Sequence, residues 1–296
     1  MPFQFEDEVV YGELENVSPL IRRIVAPNPS LFTYKGTGTY IVGRGNVAVI
    51  DPGPNLGQHI AAIVDTLRDE VISHIVVTHT HSDHSSAAKP LQQICGAPIY
   101  GRSLQVIDDC DDQQFEEEFD HGFTPTVEVS DGDVVEGDGW TLECVHTPGH
   151  MSNHICYRLT EERALFSGDH VMGWSTSVII PPDGSMKAYL ESLNKLLLTD
   201  DEIYYPTHGP AINNPHRYVS ACIEHRYERE REVIRSLNTG NTTIQELVTD
   251  VYQEIIQSLY PAASRSLFAI LIKLWEEGRV LCNGEPNLYS EYRLRK

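Results

Sequence analysis

Four side chains able to bind a metal stand within six residues at His79-Thr80-His81-Ser82-Asp83-His84, just after the apolar run Ile75-Val76-Val77. Imidazole and carboxylate groups taken out of water need a hydrogen-bond partner or a cation, so a buried core seldom accepts such a set unaided. A metal ion satisfies all four. The plainer alternative is a polar surface loop rich in histidine. Histidines at i and i+2 of a tight loop can face one cation, while Asp83 and His84 can face a second. Further along, His150, Asp169 and His208 follow the ends of short apolar runs. Five histidines and two aspartates suit zinc, with iron or manganese as the other occupants. One ion rarely takes seven protein ligands; two ions about 3.5 to 4 Å apart, bridged by a carboxylate and a water, use them all.

These residues need elements to hold them. Residues 20–25, 39–42 and 47–50 alternate apolar and polar positions between Gly-rich turns and are expected as strands. The last ends at Asp51-Pro52-Gly53-Pro54, a turn that leaves Asp51 at the strand's carboxyl end. Ile60, Ile63, Val64 and Leu67 share one helical face, and residues 75–77 form the strand that delivers the histidine loop. Strand, helix, strand and ligand loop is the pattern of an α/β layer protein. Residues 85–95 are expected as a helix kinked at Pro90. Strands are expected at 97–100, 140–145, 154–159, 164–166 and 203–205, with a helix through Tyr189, Leu190, Leu193, Leu196 and Leu197. The acidic block 108–112, with 116–118 and Asp120, reads as a solvated face. Trp174, Ser175 and Thr176 follow the Asp169 turn closely enough to line a pocket and are candidate substrate contacts. His59, His74, His121, His216 and His225 fit no motif and are expected in ordinary positions. His146, His154 and His170 flank candidate ligands, as support or as packing.

From His216 the texture changes to the mixed-charge run 226–232, and the boundary is set there: residues 1–215 as catalytic domain, 216–296 as a second unit. Thr242 and Thr243 can cap a helix over 244–259, Pro261 can open another over 262–277, and 278–282 with 292–294 suit a hairpin. Two helices and a two-stranded wing suggest a winged-helix module. Its second helix offers Arg265 and Lys273 against Glu276 and Glu277, too few cations for sequence-specific DNA reading. It is expected to pack on the catalytic domain, shape the opening or form a homodimer contact.

The 296 residues are 41% hydrophobic and 22% charged, an ordinary globular mix. No apolar run approaches the roughly 18 residues that span a bilayer, so no membrane association is expected. Glu6, Asp7 and Glu8 stand where a signal peptide would carry Lys or Arg, and a cytoplasmic location is expected. Six cysteines without a Cys-x-x-Cys pair argue against a disulfide framework and a sulfur-rich zinc knuckle. The net charge of −21 is uneven: residues 1–215 hold 11 Lys+Arg against 32 Asp+Glu, and residues 216–296 hold 11 against 11. Such acidity repels nucleic-acid phosphates unless a local basic track or a metal offsets it.

The His-x-His-x-Asp-His loop, the His150 segment, Asp169 after Ser167-Gly168 and His208 before Gly209 together resemble the metallo-β-lactamase superfamily over roughly residues 20 to 215. The resemblance implies a four-layer αββα fold, an α/β (α+β) class. It also implies His79, His81 and His150 on one metal, Asp83, His84 and His208 on the other, and Asp169 between them. Asp51 matches the family's aspartate beside the site, which orients a ligand or the histidine loop. Thr33 to Tyr40, Gly173 to Val178 and the tail look most like the β-lactamase-like protein 2 branch, whose members include endoribonucleases. This chain has Gly36-Thr37-Gly38-Thr39-Tyr40 and Thr207-His208-Gly209 where that branch often has Gly-Thr-Asn-Thr-Tyr and Gly-His-Gly. Asp169 at the bridging position, in place of a cysteine, sets it apart from secreted antibiotic-degrading lactamases.

The expected activity is that of a metal-dependent, dinuclear-zinc hydrolase. A metal-bridging hydroxide attacks an ester, thioester or phosphodiester, and Asp83 holds the nucleophile and relays a proton. The alternatives are a single-strand endoribonuclease and an iron-dependent redox enzyme on the same fold. The expected partner is accordingly a small-molecule acyl substrate or single-stranded RNA.

Overall fold

The computed structural model describes residues 1–5, 8–104, 119–253 and 259–296. The first half lays down β1 (Leu14–Asn16), β2 (Ile21–Val25), β3 (Gly38–Val42), β4 (Asn46–Ile50), α1 (Gly57–Thr66), β5 (Val71–Val76), α2 (Ser82–Ser85), α3 (Ala88–Cys95), β6 (Ile99–Gly101) and β7 (Val127–Glu128). These seven strands form one sheet in sequence order. It is antiparallel from β1 to β4, then parallel where α1 and α3 make the crossovers. Next come β8 (Val134–Gly137), β9 (Trp140–His146), β10 (Ile155–Leu159), β11 (Ala164–Gly168), α4 (Met186–Leu196) and β12 (Ile203–Pro206), which make a second sheet in the order β12-β11-β10-β9-β8.

Alternation decides what each face meets. Ile21, Tyr40, Val42 and Ile50 of the first sheet pack against Leu142, Tyr157 and Phe166 of the second, so the sheets face each other across one core. The opposite faces cannot meet water either. Ile41, Val47, Val49 and Ile75 are covered by Ile63 of α1, by Leu67 at that helix's end and by Leu91 of α3, and α4 covers the outer side of the second sheet. The result is the expected order helix, sheet, sheet, helix.

The tail comprises α5 (Pro215–Thr239), α6 (Ile244–Val251), α7 (Tyr260–Glu276) and the antiparallel pair β13 (Val280–Leu281) and β14 (Arg293–Leu294). Thr243 and Glu246 form a reciprocal capping box at the start of α6. The apolar cluster of the second sheet's outer face does not stop at residue 215. It runs from Cys156, Leu165 and Tyr189 through Tyr218, Val219 and Val233 to Leu247, Leu267 and Leu271.

Three local expectations change. The helix expected over 85–95 is two helices, broken at Ser86 and Ala87. Pro90 sits in the first turn of α3, where its missing N–H would have no helical acceptor, so it kinks nothing. The helix expected over 244–259 ends at Val251, and part of that span lies outside the described residues, as do the acidic residues 108–112 and 116–118. Among the described residues no helix is long and apolar enough to cross a membrane.

Candidate metal centre

Asp51 ties the strand ends together. It follows β4 in a left-handed backbone conformation, φ 47°, which a non-glycine residue adopts only when its surroundings hold it. Its carboxylate accepts from the Thr78 N–H (2.8 Å) and Oγ1 (2.8 Å) after β5, and from Thr207 Oγ1 (2.7 Å) after β12. It also accepts from His84 Nδ1 at 2.9 Å. One buried carboxylate thus sets the relative position of three strand ends and one imidazole.

The histidine loop then turns straight into α2, whose first residues carry Asp83 and His84 side by side. His150 lies beyond β9, on a loop where Gly149 has φ 147°; a Cβ there would come 2.3 Å from Tyr189 Cα. Asp169 follows β11 through Gly168, φ 52°, where a Cβ would come 2.5 Å from His154 Nε2. His208 follows β12. Only glycine lets these two turns approach so closely.

The seven side chains converge. His79 Nε2 lies 2.9 Å from His81 Nδ1, which lies 3.1 Å from His150 Nε2. Asp83 Oδ2 lies 3.0 Å from His208 Nε2 and 3.5 Å from His84 Nε2. Asp169 Oδ2 stands 3.6 Å from both His84 Nε2 and His208 Nε2, and 4.0 Å from His150 Nε2. Ligands of a tetrahedral ion with bonds of about 2.0 to 2.1 Å stand about 3.3 Å apart, so this spacing fits.

The hydrogen bonds behind the rings make the same point. His150 Nδ1–H donates to the Val178 carbonyl at 2.6 Å, His208 Nδ1–H to Gly36 O at 3.1 Å and His84 Nδ1–H to Asp51. Donation to a carbonyl or carboxylate fixes the tautomer and leaves the Nε2 lone pair aimed inward. His84 Nε2, His208 Nε2 and Asp169 Oδ1 are buried with no hydrogen-bond partner among the described residues. His79-His81-His150, His79-His84-Asp169 and Asp83-His84-His208 are each close enough to share an ion. This donor set suits a divalent cation.

The two sides of the centre differ in charge. Burial lowers the His79 pKa well below its ordinary value, with the neighbouring imidazoles adding to the effect. Burial pushes the Asp83 carboxyl up, but His84 and His208 hold it at about 2. Burial likewise raises Asp169, and His208 and His84 outweigh it. His208 is pushed down by burial and brought up to about 9 by Asp169 and Asp83.

His154 is fully buried. Its Nε2 accepts the Asp169 N–H at 3.2 Å, its Nδ1–H donates to Thr147 Oγ1 at 2.9 Å, and its ring stacks on His79. Both nitrogens are engaged, so it supports Asp169. His146 Nε2–H orders the loop through Ser152 O at 2.9 Å. His170 packs edge-on to Tyr189. His59, expected in an ordinary position, is buried with Nε2 2.8 Å from Thr39 Oγ1, which donates to Asp51 O at 2.7 Å. Its place beside Ile60 and four residues before Ile63 on the apolar face was the available signal.

Trp174, Ser175 and Thr176 line a cleft that also touches Leu31, Phe32, Met172, Val178, His150 and Asp169. Trp174 stacks on Tyr34, ring centres 5.0 Å apart.

Residues 34–208 match the sequence profile of the metallo-beta-lactamase superfamily, and residues 243–286 that of the beta-lactamase associated winged helix domain. The chain belongs to the metallo-β-lactamase superfamily. It is 33% identical over 272 residues to a beta-lactamase-like protein 2 homolog of Caenorhabditis elegans, covering 90% of this chain and 88% of that one. It is 30% identical over 256 residues to an atrochrysone carboxyl ACP thioesterase of Aspergillus terreus, covering 81% and 74%. A beta-lactamase domain protein from Burkholderia ambifaria has the same fold, with TM-score 0.83 at 17% identity over 99% and 97% of the two chains. A metallo-beta-lactamase family protein from Thermus thermophilus follows, with TM-score 0.76 at 21% identity over 95% and 100%. As a metallo-β-lactamase superfamily enzyme, the chain is a hydrolase.

Proposed function

We propose that this hydrolase cleaves an acyl ester bond, a thioester above all, at a two-ion centre. The observation that carries the reading is the partly apolar cleft beside His150 and Asp169. Leu31, Phe32, Met172, Trp174 and Val178 give it an oily wall, and among its described lining residues there is no Lys or Arg. An acyl group gains by leaving water against that wall, whereas an RNA backbone would meet no Lys or Arg among the cleft's described lining residues and would face 32 acidic against 11 basic residues in 1–215, with the metal ions alone to offset them. A thioesterase among the relatives supports the same direction.

In this reading His79, His81 and His150 hold one divalent ion, Asp83, His84 and His208 a second, and Asp169 lies between; zinc is the expected ion, with iron or manganese as substitutes. Bound there, such ions act as Lewis acids and lower the pKa of water to about 7. Asp83 accepts a hydrogen bond from the attacking water, orients it and relays its proton. Asp51 keeps His84 in its tautomer. Trp174, Ser175 and Thr176 hold the acyl group against the opening. We further propose that residues 1–215 carry the chemistry and that the winged-helix unit, 216–296, backs the cleft.

The test is metal analysis of the purified protein, then parallel assays with an acyl thioester, a bis-ester phosphate and a single-stranded RNA. Cleavage of the thioester and not the RNA is expected. Cleavage of RNA alone overturns the acyl reading in favour of a single-strand endoribonuclease, and two irons per chain with oxygen uptake overturn it in favour of redox chemistry.

A further inference from the structure

Arg226, on α5 of the tail, is 5% exposed and forms no ion pair with a carboxylate among the described residues. A guanidinium stripped of water needs acceptors. Those of Arg226 belong to the wall of the metal centre: Nη2–H donates to the Ser177 carbonyl, and the guanidinium carbon lies 5.1 Å from the centre of the Tyr189 ring. Each contact leads to His150. The Val178 carbonyl, one residue beyond Ser177, accepts the His150 Nδ1–H. The Tyr189 backbone lies against Gly149, directly before His150, so closely that no side chain fits between.

The opposite end of the same loop is held from the same helix. Tyr218 stands eight residues before Arg226, about 12 Å back along the helix axis, and its hydroxyl lies within hydrogen-bond reach of the Met172 and Gly173 carbonyls at 2.8 and 2.9 Å. Trp174, Ser175 and Thr176 hang between the two anchors. The Arg226 end reaches the His150 ring through the Val178 carbonyl, while the Tyr218 end holds Met172 and Gly173, three and four residues after Asp169.

We propose that Arg226 is a positioning residue of the metal centre: by gripping the Ser177 carbonyl and the Tyr189 ring it fixes the His150 imidazole, so the tail sets how firmly the ion of His79, His81 and His150 is held. This rests on the metal-centre reading above. It also separates two functions of α5, the Arg226 end serving the metal and the Tyr218 end serving the substrate cleft.

The experiment compares wild type, Arg226→Met, Arg226→Lys and Tyr218→Phe by zinc competition with a chelator, by the absorption spectrum of the cobalt-substituted protein, and by kcat and KM on an acyl thioester. Urea unfolding tracks overall stability alongside. Loss of a ligand's direct hydrogen-bond partner typically weakens metal binding about 10- to 100-fold; Arg226 acts on His150 through one residue more, which places its effect at the lower end, about 10-fold. Arg226→Met is expected to show that loss for one ion and an altered cobalt spectrum, and Arg226→Lys a smaller loss. Tyr218→Phe is expected to raise KM with zinc affinity unchanged. Zinc affinity and cobalt spectrum equal to wild type in Arg226→Met overturn the inference. Should that variant fail to fold, wild-type values in Arg226→Lys overturn it equally, because a single ammonium cannot reproduce the fork. Wild-type protein that takes up no metal overturns the metal-centre reading as well; a metal-loaded wild type with unaltered variants overturns this inference alone.

Discussion

Asp83 differs from its neighbours in facing the opening: its side chain is 15% exposed, against 0% for His84 and His208. Held at about 2 by those two imidazoles against the effect of burial, it is an anion at neutral pH. Asn keeps its shape and removes its charge. Asp83→Asn is expected to keep the three-histidine ion and to lose about 100-fold or more in turnover, the usual size of a general acid-base contribution. Metal analysis beside the kinetics decides it, and wild-type turnover at wild-type metal content removes Asp83 from the chemistry. His59 makes a different prediction. Burial lowers its pKa to about 4, so it folds as a neutral ring. The stability this contributes is fully present above about 6.5 and is lost as pH falls from there towards 4. At pH 5 the loss is about 2 kcal/mol. Urea unfolding at pH 7 and pH 5 should show His59→Gln losing less than wild type by about that amount; equal losses would dismiss the coupling. Why the seven candidate ligands stand out in the sequence while the contacts of His59 and Arg226 do not is a matter of separation. Four ligands crowd one loop and the others follow strand ends, whereas His59 meets Thr39 20 residues away and Arg226 meets Ser177 49 residues away.

Strand ends matter here because a sheet edge brings distant loops together. Periodicity placed β2 to β5 and β9 to β12 because, past the exposed first residues of β4 and β5, every position in them is buried or half-buried and apolar residues dominate. It misjudged residues 85–95, where no Gly or Pro marks the break at Ser86 and Ala87, whose backbones both stay near the helical region. The segment from Met172 to Val178 is neither helix nor strand, so periodicity is silent on it, yet it forms much of the cleft wall. Its Trp174 lies flat on Tyr34, with Phe5 6.4 Å from that ring. Truncating the indole removes apolar surface that a long acyl chain would cover. Trp174→Ala should therefore raise KM for long-chain acyl thioesters by about 10-fold, equivalent to about 1.4 kcal/mol, and leave acetyl thioester kinetics as they were. A uniform change across chain lengths would instead mark the residue as support for the loop.

On the scale of the whole molecule, the change of texture at residue 216 is a change of surface composition and not of core. Charges become mixed because α5 exposes one long face, where Arg231 pairs with Glu224 and Glu228. Its other face continues the apolar cluster of α4: Tyr218, Val219, Cys222, Val233 and Leu237 join Tyr189, Leu190, Leu193 and Leu196. Fully burying one large apolar side chain is worth about 1.5 to 3 kcal/mol, and a domain's entire margin is about 5 to 15 kcal/mol. Removing α5 and α7 would uncover more than that margin. Residues 1–215 made alone are therefore expected to aggregate, or to lose near-ultraviolet circular dichroism and cooperative unfolding, with or without added zinc. Size-exclusion chromatography and a urea titration of the truncated chain are the measurement. A monomer that unfolds in one sharp transition would make the 215/216 boundary a thermodynamic one. Zinc is not expected to rescue the truncated chain, because the ligands ride on strand ends whose outer face that chain leaves bare. Binding can stabilise only a fold that already forms.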